Sequence, residues 1–248
     1  MEREVVLAVR GLNLYNRDGE RLVKDLSFSL RAGETLGLVG ESGSGKTLTL
    51  RSLIGLLPEG IRETHEARTD NPNCAMIFQN PQSALDPLCP VFRQLCEVIA
   101  ARQGVGRAEA RARALRLLRR LSLPESLARE DRLPGSLSGG QCQRLLIAMA
   151  LSCEPEVLLC DEPTTALDVT VQKKTLDLIR ALQAELGFAV IFVTHNLAVA
   201  AQLCQSLAVM RQGRIIERGP TEQILTSPRE PYTETLIGAV LPVPERRG

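Results

Sequence analysis

Gly40-Glu41-Ser42-Gly43-Ser44-Gly45-Lys46-Thr47 fits the pattern G-x-x-x-x-G-K-[ST] in full. Residues spaced this way hold nucleotide phosphates. The glycines let successive backbone N–H groups turn toward phosphate oxygens, and a helix that follows adds the positive end of its dipole. Lys46 offers a point charge to the β- and γ-phosphates, and the Thr47 hydroxyl can ligate Mg²⁺. A second group of polar residues stands at the end of an apolar run, Val157-Leu158-Leu159-Cys160-Asp161-Glu162. Asp161 is placed to hold magnesium through water, and Glu162 to polarise or deprotonate an attacking water. Adjacent side chains on a strand face opposite ways, so the two carboxylates take different roles only if the chain turns at Glu162. Pro163 predicts such a turn. Leu137-Ser138-Gly139-Gly140-Gln141 opens a helix that Ser138 can cap, leaving glycine amides to face outward as a second anion site.

Elements of particular kinds must present these residues. Thr35-Leu36-Gly37-Leu38-Val39 is a buried-strand pattern running straight into the glycine-rich loop, and residues 47–57 read as the helix beyond it. Upstream, Val5-Val6-Leu7-Ala8-Val9 is an apolar run, Asn16-Arg17-Asp18-Gly19 a turn, and Leu26-Ser27-Phe28-Ser29-Leu30 an alternating strand. The stretch 59–73 is polar and broken by Pro72, and Cys74-Ala75-Met76-Ile77-Phe78 restores a strand. From 92 to 130 the pattern is helical and Arg-rich. Arg107, Arg111, Arg113, Arg116, Arg119 and Arg120 interleave with Leu115, Leu118 and Leu121, which reads as a solvated helix face. Past Leu133-Pro134 come a Ser/Gly cluster, a helix over 140–152, a strand over 157–160, a helix over 170–185 and a strand over 189–193. Apolar strands alternating with helices predict an α/β fold whose parallel sheet is covered on both faces. The helical block 92–135 interrupts that alternation as an inserted subdomain.

Composition narrows the function further. A chain of 248 residues with 44% hydrophobic and 24% charged residues is ordinary for a globular protein of one large α/β domain or two small ones. Thirty basic against twenty-nine acidic residues give a net charge of +1, so no global electrostatic case for nucleic-acid binding exists. No apolar run approaches the roughly 18 residues of a membrane span. Met1-Glu2-Arg3-Glu4 carries both signs of charge with no apolar core after it, which is not a secretory signal and predicts a protein kept inside the cell. Seven cysteines without a C-x-x-C pair, with only two histidines, read as reduced thiols acting as small core residues.

The LSGGQ run, followed by Gln143-Arg144, is similar to the signature sequence of ATP-binding-cassette (ABC) ATPases. The other motifs fall in that family's order. Gln79 in Ile77-Phe78-Gln79-Asn80-Pro81 resembles the Q-loop, Ala166-Leu167-Asp168 the D-loop, and His195 in Val193-Thr194-His195-Asn196 the switch histidine. Tyr15 is the matching adenine-stacking aromatic. The resemblance covers residues 4–240 and implies a P-loop ATPase domain occupying 1–248, with a mainly parallel core, an N-terminal antiparallel β part, a helical subdomain over 88–152 and a tail over 227–248. ATP and Mg²⁺ are the implied ligands. The resemblance implies that Tyr15, Gly40–Thr47, Gln79 and Asp161 bind nucleotide in one chain. Ser138, Gly139, Gly140 and Gln141 of another chain would close the same site, giving a head-to-tail dimer. Thr47, Gln79 and Asp161 would serve the metal, and Lys46, Glu162 and His195 the catalysis, His195 through the γ-phosphate. His65 receives no role.

Two segments resemble one branch, the dipeptide, oligopeptide and nickel importers: Gln79-Asn80-Pro81-Gln82-Ser83-Ala84-Leu85-Asp86-Pro87, and Ser227-Pro228-Arg229-Glu230-Pro231-Tyr232-Thr233 with Leu236. Within the branch the look is nearest to the nickel-import ATPase that pairs with a second, different ATPase. The branch implies an ATPase on the cytoplasmic face of a bacterial inner membrane, working with two permease subunits, a second cassette ATPase (identical or different) and an extracytoplasmic binding protein. Nucleic acid is not among the expected partners. The chain is short between Lys46 and Gln79, which predicts a trimmed antiparallel arm. It ends soon after Pro231-Tyr232-Thr233, which predicts no iron–sulfur cluster and leans toward the nickel or metallophore side. Cys142 within the signature helix departs from the family. The same branch also resembles a soluble accessory ATPase of carbon–phosphorus lyase complexes, a second reading that the motifs do not separate from the first. A ribosome- or nucleic-acid-associated cassette is the third, and the neutral charge and single cassette weigh against it.

Overall fold

The computed structural model describes residues 4–69, 72–165 and 167–240. In chain order the elements are β1 (Val5–Tyr15), β2 (Arg21–Arg31), β3 (Thr35–Val39), α1 (Lys46–Leu53), β4 (Arg62–Thr64), β5 (Ala67–Arg68), β6 (Cys74–Ile77), α2 (Val91–Gln103), α3 (Arg107–Arg120), α4 (Gly139–Leu151), β7 (Val157–Asp161), α5 (Val169–Leu186), β8 (Ala189–Thr194), α6 (Leu197–Leu203), β9 (Ser206–Arg211), β10 (Arg214–Pro220), α7 (Thr221–Thr226) and α8 (Pro231–Val240). They fall into two compact units, residues 1–72 with 187–248, and residues 73–186.

The first unit holds two sheets. In one, β1 pairs antiparallel with β2 along its length, while β4 and β5 add short antiparallel ladders. The register of β1 on β2 slips between Val9 and Leu12. That slip changes which alternate residues face inward, so Leu7 and Val9 before it and Leu12 and Leu14 after it are all buried. Of the arm expected to be trimmed, β4 and β5 are the strands found here. In the second sheet β3 lies between β8 and β9, parallel to both, and β10 closes the edge antiparallel to β9. Every residue of β3 and β8 is buried, as a parallel strand covered on both faces requires. The turn joining β9 to β10 is Gln212-Gly213, both at positive φ, the backbone that a two-residue hairpin needs to match strand twist.

The second unit is helical around a short parallel ladder of β6 on β7. Val91, Phe92, Leu95 and Ile99 bury one stripe of α2, and Ala110, Ala114 and Leu118 one stripe of α3. Of the six arginines, only Arg113 is half-buried and the others are exposed. Arg113 pairs with Glu109 at 2.7 Å and Arg119 with Glu125 at 2.7 Å, contacts worth about 0–1 kcal/mol each at a surface. The Arg-rich face is a solvated one.

Candidate functional site

In the first unit the phosphate loop leaves the buried end of β3 and delivers Lys46 as the first residue of α1. Lys46 is only 4% exposed. Its Nζ donates to the Gly40 carbonyl at 2.8 Å, the Glu41 carbonyl at 2.7 Å and Ser44 Oγ at 3.4 Å, so the ammonium sits within the ring of loop oxygens. Gly40 has φ 153°, and a Cβ there would lie 2.1 Å from the Met210 carbonyl oxygen. The close pass of loop against β9 therefore demands glycine. The Gly213 N–H donates to the Ser44 carbonyl at 3.1 Å, tying the β9–β10 turn to the loop.

His195 follows β8. The parallel register sets Thr194 opposite Val39, so Gly40 and His195 come next at the same carboxyl end of neighbouring strands. In α/β sheets ligands bind at that end. His195 is exposed, and the turn behind it is fixed. The Asn196 N–H donates to Thr194 Oγ1 at 3.0 Å, and Asn196 Oδ1 accepts from the Ala198 and Val199 amides as the cap of α6. Tyr15 ends β1, half-buried, with the Arg62 guanidinium 4.5 Å from its ring centroid. One face of that ring is thus covered by a cation.

In the second unit the register sets Ile77 opposite Cys160, which brings Gln79 and Glu162 out side by side. Gln79 Nε2 donates to Glu162 Oε2 at 3.3 Å, and Thr165 Oγ1 donates to the same oxygen at 2.9 Å. Asp161 closes β7 and is 3% exposed. Glu162 has φ +45°, so the chain does turn there and the two carboxylates part company as the sequence predicted. Thr165, which holds the Glu162 carboxylate, was not legible as a site residue. A hydroxyl three residues past an acid in a Pro-Thr-Thr run carries no signal of its own.

The signature opens α4 with a full capping box. Ser138 Oγ accepts from the Gln141 N–H at 3.3 Å and Gln141 Oε1 accepts from the Ser138 N–H at 3.0 Å. The Gln141 side chain is engaged within its own helix, and the outward polar groups of this turn belong to the exposed Ser138 and Gly139. The D-loop residue Leu167 lies 3.6 Å from where a Cβ on Gly139 would stand, while Ala166 falls outside the described residues. Cys142 has a plain account here. It is fully buried, its Sγ lies 3.7 Å from the Pro134 carbonyl, and burial pushes its thiol up, so it serves as core. All seven cysteines are unpaired in disulfide terms, as expected of reduced thiols.

Thr47 in the first unit, and Gln79 and the nearly buried Asp161 in the second, each carry an oxygen of the kind magnesium takes, so these side chains fit the ion by their donor chemistry.

Residues 23–165 match the family model described as ABC transporter. The chain is 42% identical to the glutathione import ATP-binding protein GsiA of Salmonella typhimurium over 98% of its own length. To the protein of the same name from Escherichia coli K12 it is 43% identical over 95% of its length. It spans 43% and 42% of those two proteins. Among solved structures, cbiO1 from Clostridium perfringens, part of the ABC transporter complex cbiONQ, matches with TM-score 0.76 and 28% identity over 91% of this chain and 92% of that one. The dimeric post-hydrolysis ATP-binding cassette MJ0796 bound to ADP and Pi matches with TM-score 0.71 and 27% identity, covering 87% and 98%.

Proposed function

The chain belongs to the ABC transporter family, and we propose that it is the ATP-hydrolysing subunit of a bacterial importer for short peptides. The observation that carries the substrate class is the identity of 42–43% along nearly the whole chain with glutathione import ATP-binding proteins, whose cargo is itself a small peptide. Nickel complexes, the other cargo of the branch, have no such support from these relatives.

In this reading Lys46 and the amides of Gly43–Thr47 receive the β- and γ-phosphates, and Tyr15 offers the ring face away from Arg62 to adenine. Glu162, held by Thr165 and Gln79, accepts the proton of the attacking water. His195 would contact the γ-phosphate. Thr47, Gln79 and, through water, Asp161 would hold magnesium, which when bound neutralises charge on the phosphate oxygens. Ser138, Gly139 and Gly140 would serve the nucleotide of a second cassette. Two permease subunits, that second ATPase and an extracytoplasmic binding protein complete the assembly, with this subunit peripheral to the cytoplasmic face of the membrane. Among the described residues no helix is long and apolar enough to cross a membrane, which is compatible with that placement.

The test is affinity purification of the tagged chain from its native cell in mild detergent, followed by ATPase assay of the complex with and without a peptide-loaded binding protein. Two polytopic proteins and peptide-stimulated hydrolysis are expected. A soluble multi-subunit enzyme with no permease would overturn the transport reading.

A further inference from the structure

The phosphate loop is gripped from the C-terminal tail. The peptide unit joining Gly40 to Glu41 is held at both ends. Its carbonyl accepts from Lys46 Nζ at 2.8 Å, and its N–H donates to the Tyr232 hydroxyl at 3.1 Å. Tyr232 stands 191 residues away in the chain, in the second position of α8, and is 7% exposed. Its ring lies under the Arg211 guanidinium, 4.6 Å from the centroid. Arg211 follows Met210, whose carbonyl makes the close pass against Gly40.

The tail that carries Tyr232 is itself anchored. Glu217 of β10 is 8% exposed, and its two carboxylate oxygens accept from the backbone N–H of Arg229 at 2.8 Å and of Glu230 at 3.2 Å. Those amides lead directly into α8, so a buried carboxylate sits at a helix N-terminus, where the dipole favours it. Pro231 begins the helix at the position where a missing N–H is least felt. Burial pushes the Tyr232 phenol up, so the bond from the Glu41 N–H is to a neutral hydroxyl at physiological pH.

We propose that Tyr232 is a positioning residue for nucleotide binding: its hydroxyl pins the Gly40–Glu41 peptide, so that docking of the tail sets the affinity of the phosphate loop. The physical need for a pin lies in Gly40. A residue without Cβ lets the following peptide rotate at little cost, and such a rotation would turn the carbonyl that Lys46 now engages. Tyr232 removes that freedom by holding the opposite end of the same peptide. The proposal rests on the reading of residues 40–47 as a nucleotide loop, and its test separates the two.

The test compares the full chain with Tyr232→Phe, which keeps the ring and its stacking on Arg211, and with Thr235→Ala, an exposed position that loses a methyl and a hydroxyl bonded within α8 to the Pro231 carbonyl. Binding of a fluorescent ATP analogue with magnesium, steady-state hydrolysis, and amide hydrogen exchange over 40–47 are measured. Loss of one neutral hydrogen bond predicts roughly 2- to 10-fold weaker binding and higher KM in Tyr232→Phe, with kcat unchanged. Exchange at the Glu41 amide should quicken, and Thr235→Ala should match wild type in all three. Wild-type affinity and Glu41 exchange in Tyr232→Phe would overturn the pin alone. Failure of the wild-type chain to bind the analogue would overturn the nucleotide reading, and the pin's role in affinity with it.

Discussion

Glu162→Gln tests the proposed chemistry most directly, because it removes the proposed proton acceptor while keeping the side chain's length and shape. Two hydrogen bonds to this side chain land on the same oxygen, Oε2, from Thr165 Oγ1 at 2.9 Å and Gln79 Nε2 at 3.3 Å. Glutamine has the same length and one carbonyl oxygen, which can take that position and accept from both donors. The left-handed backbone at φ +45° is borne by glutamine as by glutamate. Stability should therefore change by no more than about one weakened hydrogen bond, ~0.5–1.5 kcal/mol. The rate should change far more. Losing a general base lowers hydrolysis about 10²–10⁴-fold, or ~2.7–5.5 kcal/mol of barrier at 1.36 kcal/mol per tenfold. Phosphate release from purified protein and binding of a fluorescent ATP analogue are measured side by side. The expected variant binds as wild type and hardly hydrolyses. Wild-type turnover would remove Glu162 from the base role. Loss of binding to the same extent as turnover would mean that the carboxylate holds the loop rather than the water.

Gly40→Ala places a Cβ 2.1 Å from the Met210 carbonyl oxygen at a backbone that L-residues rarely adopt, so a loss of about 2 kcal/mol or more in unfolding free energy and loss of ATP binding are expected in denaturant and fluorescence titrations. Ser138→Ala removes the capping box of α4 and should lower stability by about 1 kcal/mol in urea unfolding, while this chain's own phosphate loop still binds nucleotide. Burial pushes the Glu217 carboxyl up, but the N–H groups of Arg229 and Glu230, with the Arg229 charge nearby, outweigh it and hold the group below the usual carboxylate range. A depressed pKa contributes stability above the unfolded value of about 4.3 and loses it as pH falls through the folded value. The gap in Tm between wild type and Glu217→Gln should be full near pH 7 and shrink as pH falls below the unfolded value of about 4.3 toward the lower folded one, and a gap independent of pH would refute the assignment.

What the sequence disclosed and what it hid divide along one physical line. Gly40–Thr47, Leu137–Gln141 and Val157–Glu162 each carry their chemistry within a few consecutive residues. Phosphate binding needs adjacent amides, a helix cap needs positions three apart, and a strand-end carboxylate needs only the strand before it. Their elements were legible for the same reason, since β3, β7 and β8 are continuous apolar runs and α2 and α3 bury stripes at helical spacing. Even the turn at Glu162 was readable, because Pro163 bars the strand from continuing. The β9–β10 hairpin escaped notice because its turn is Gln212-Gly213 rather than the Asn-Gly or Asp-Gly that announces one, and its Gln takes φ +47° under the hold of the surrounding sheet. Tyr232 and Glu217 were beyond local reading altogether. The serine, prolines and tyrosine of the tail could be matched to a family pattern, yet nothing in their spacing says that the hydroxyl meets an amide 191 residues upstream. That contact exists only once β9 has been laid beside β3 and β10 folded back upon it, which brings Met210 and Arg211 against the loop and gives Glu217 a face on which to seat the tail. The phosphate loop is thus written in eight consecutive residues, while the shape in which it is held depends on a strand pairing that only the folded chain creates.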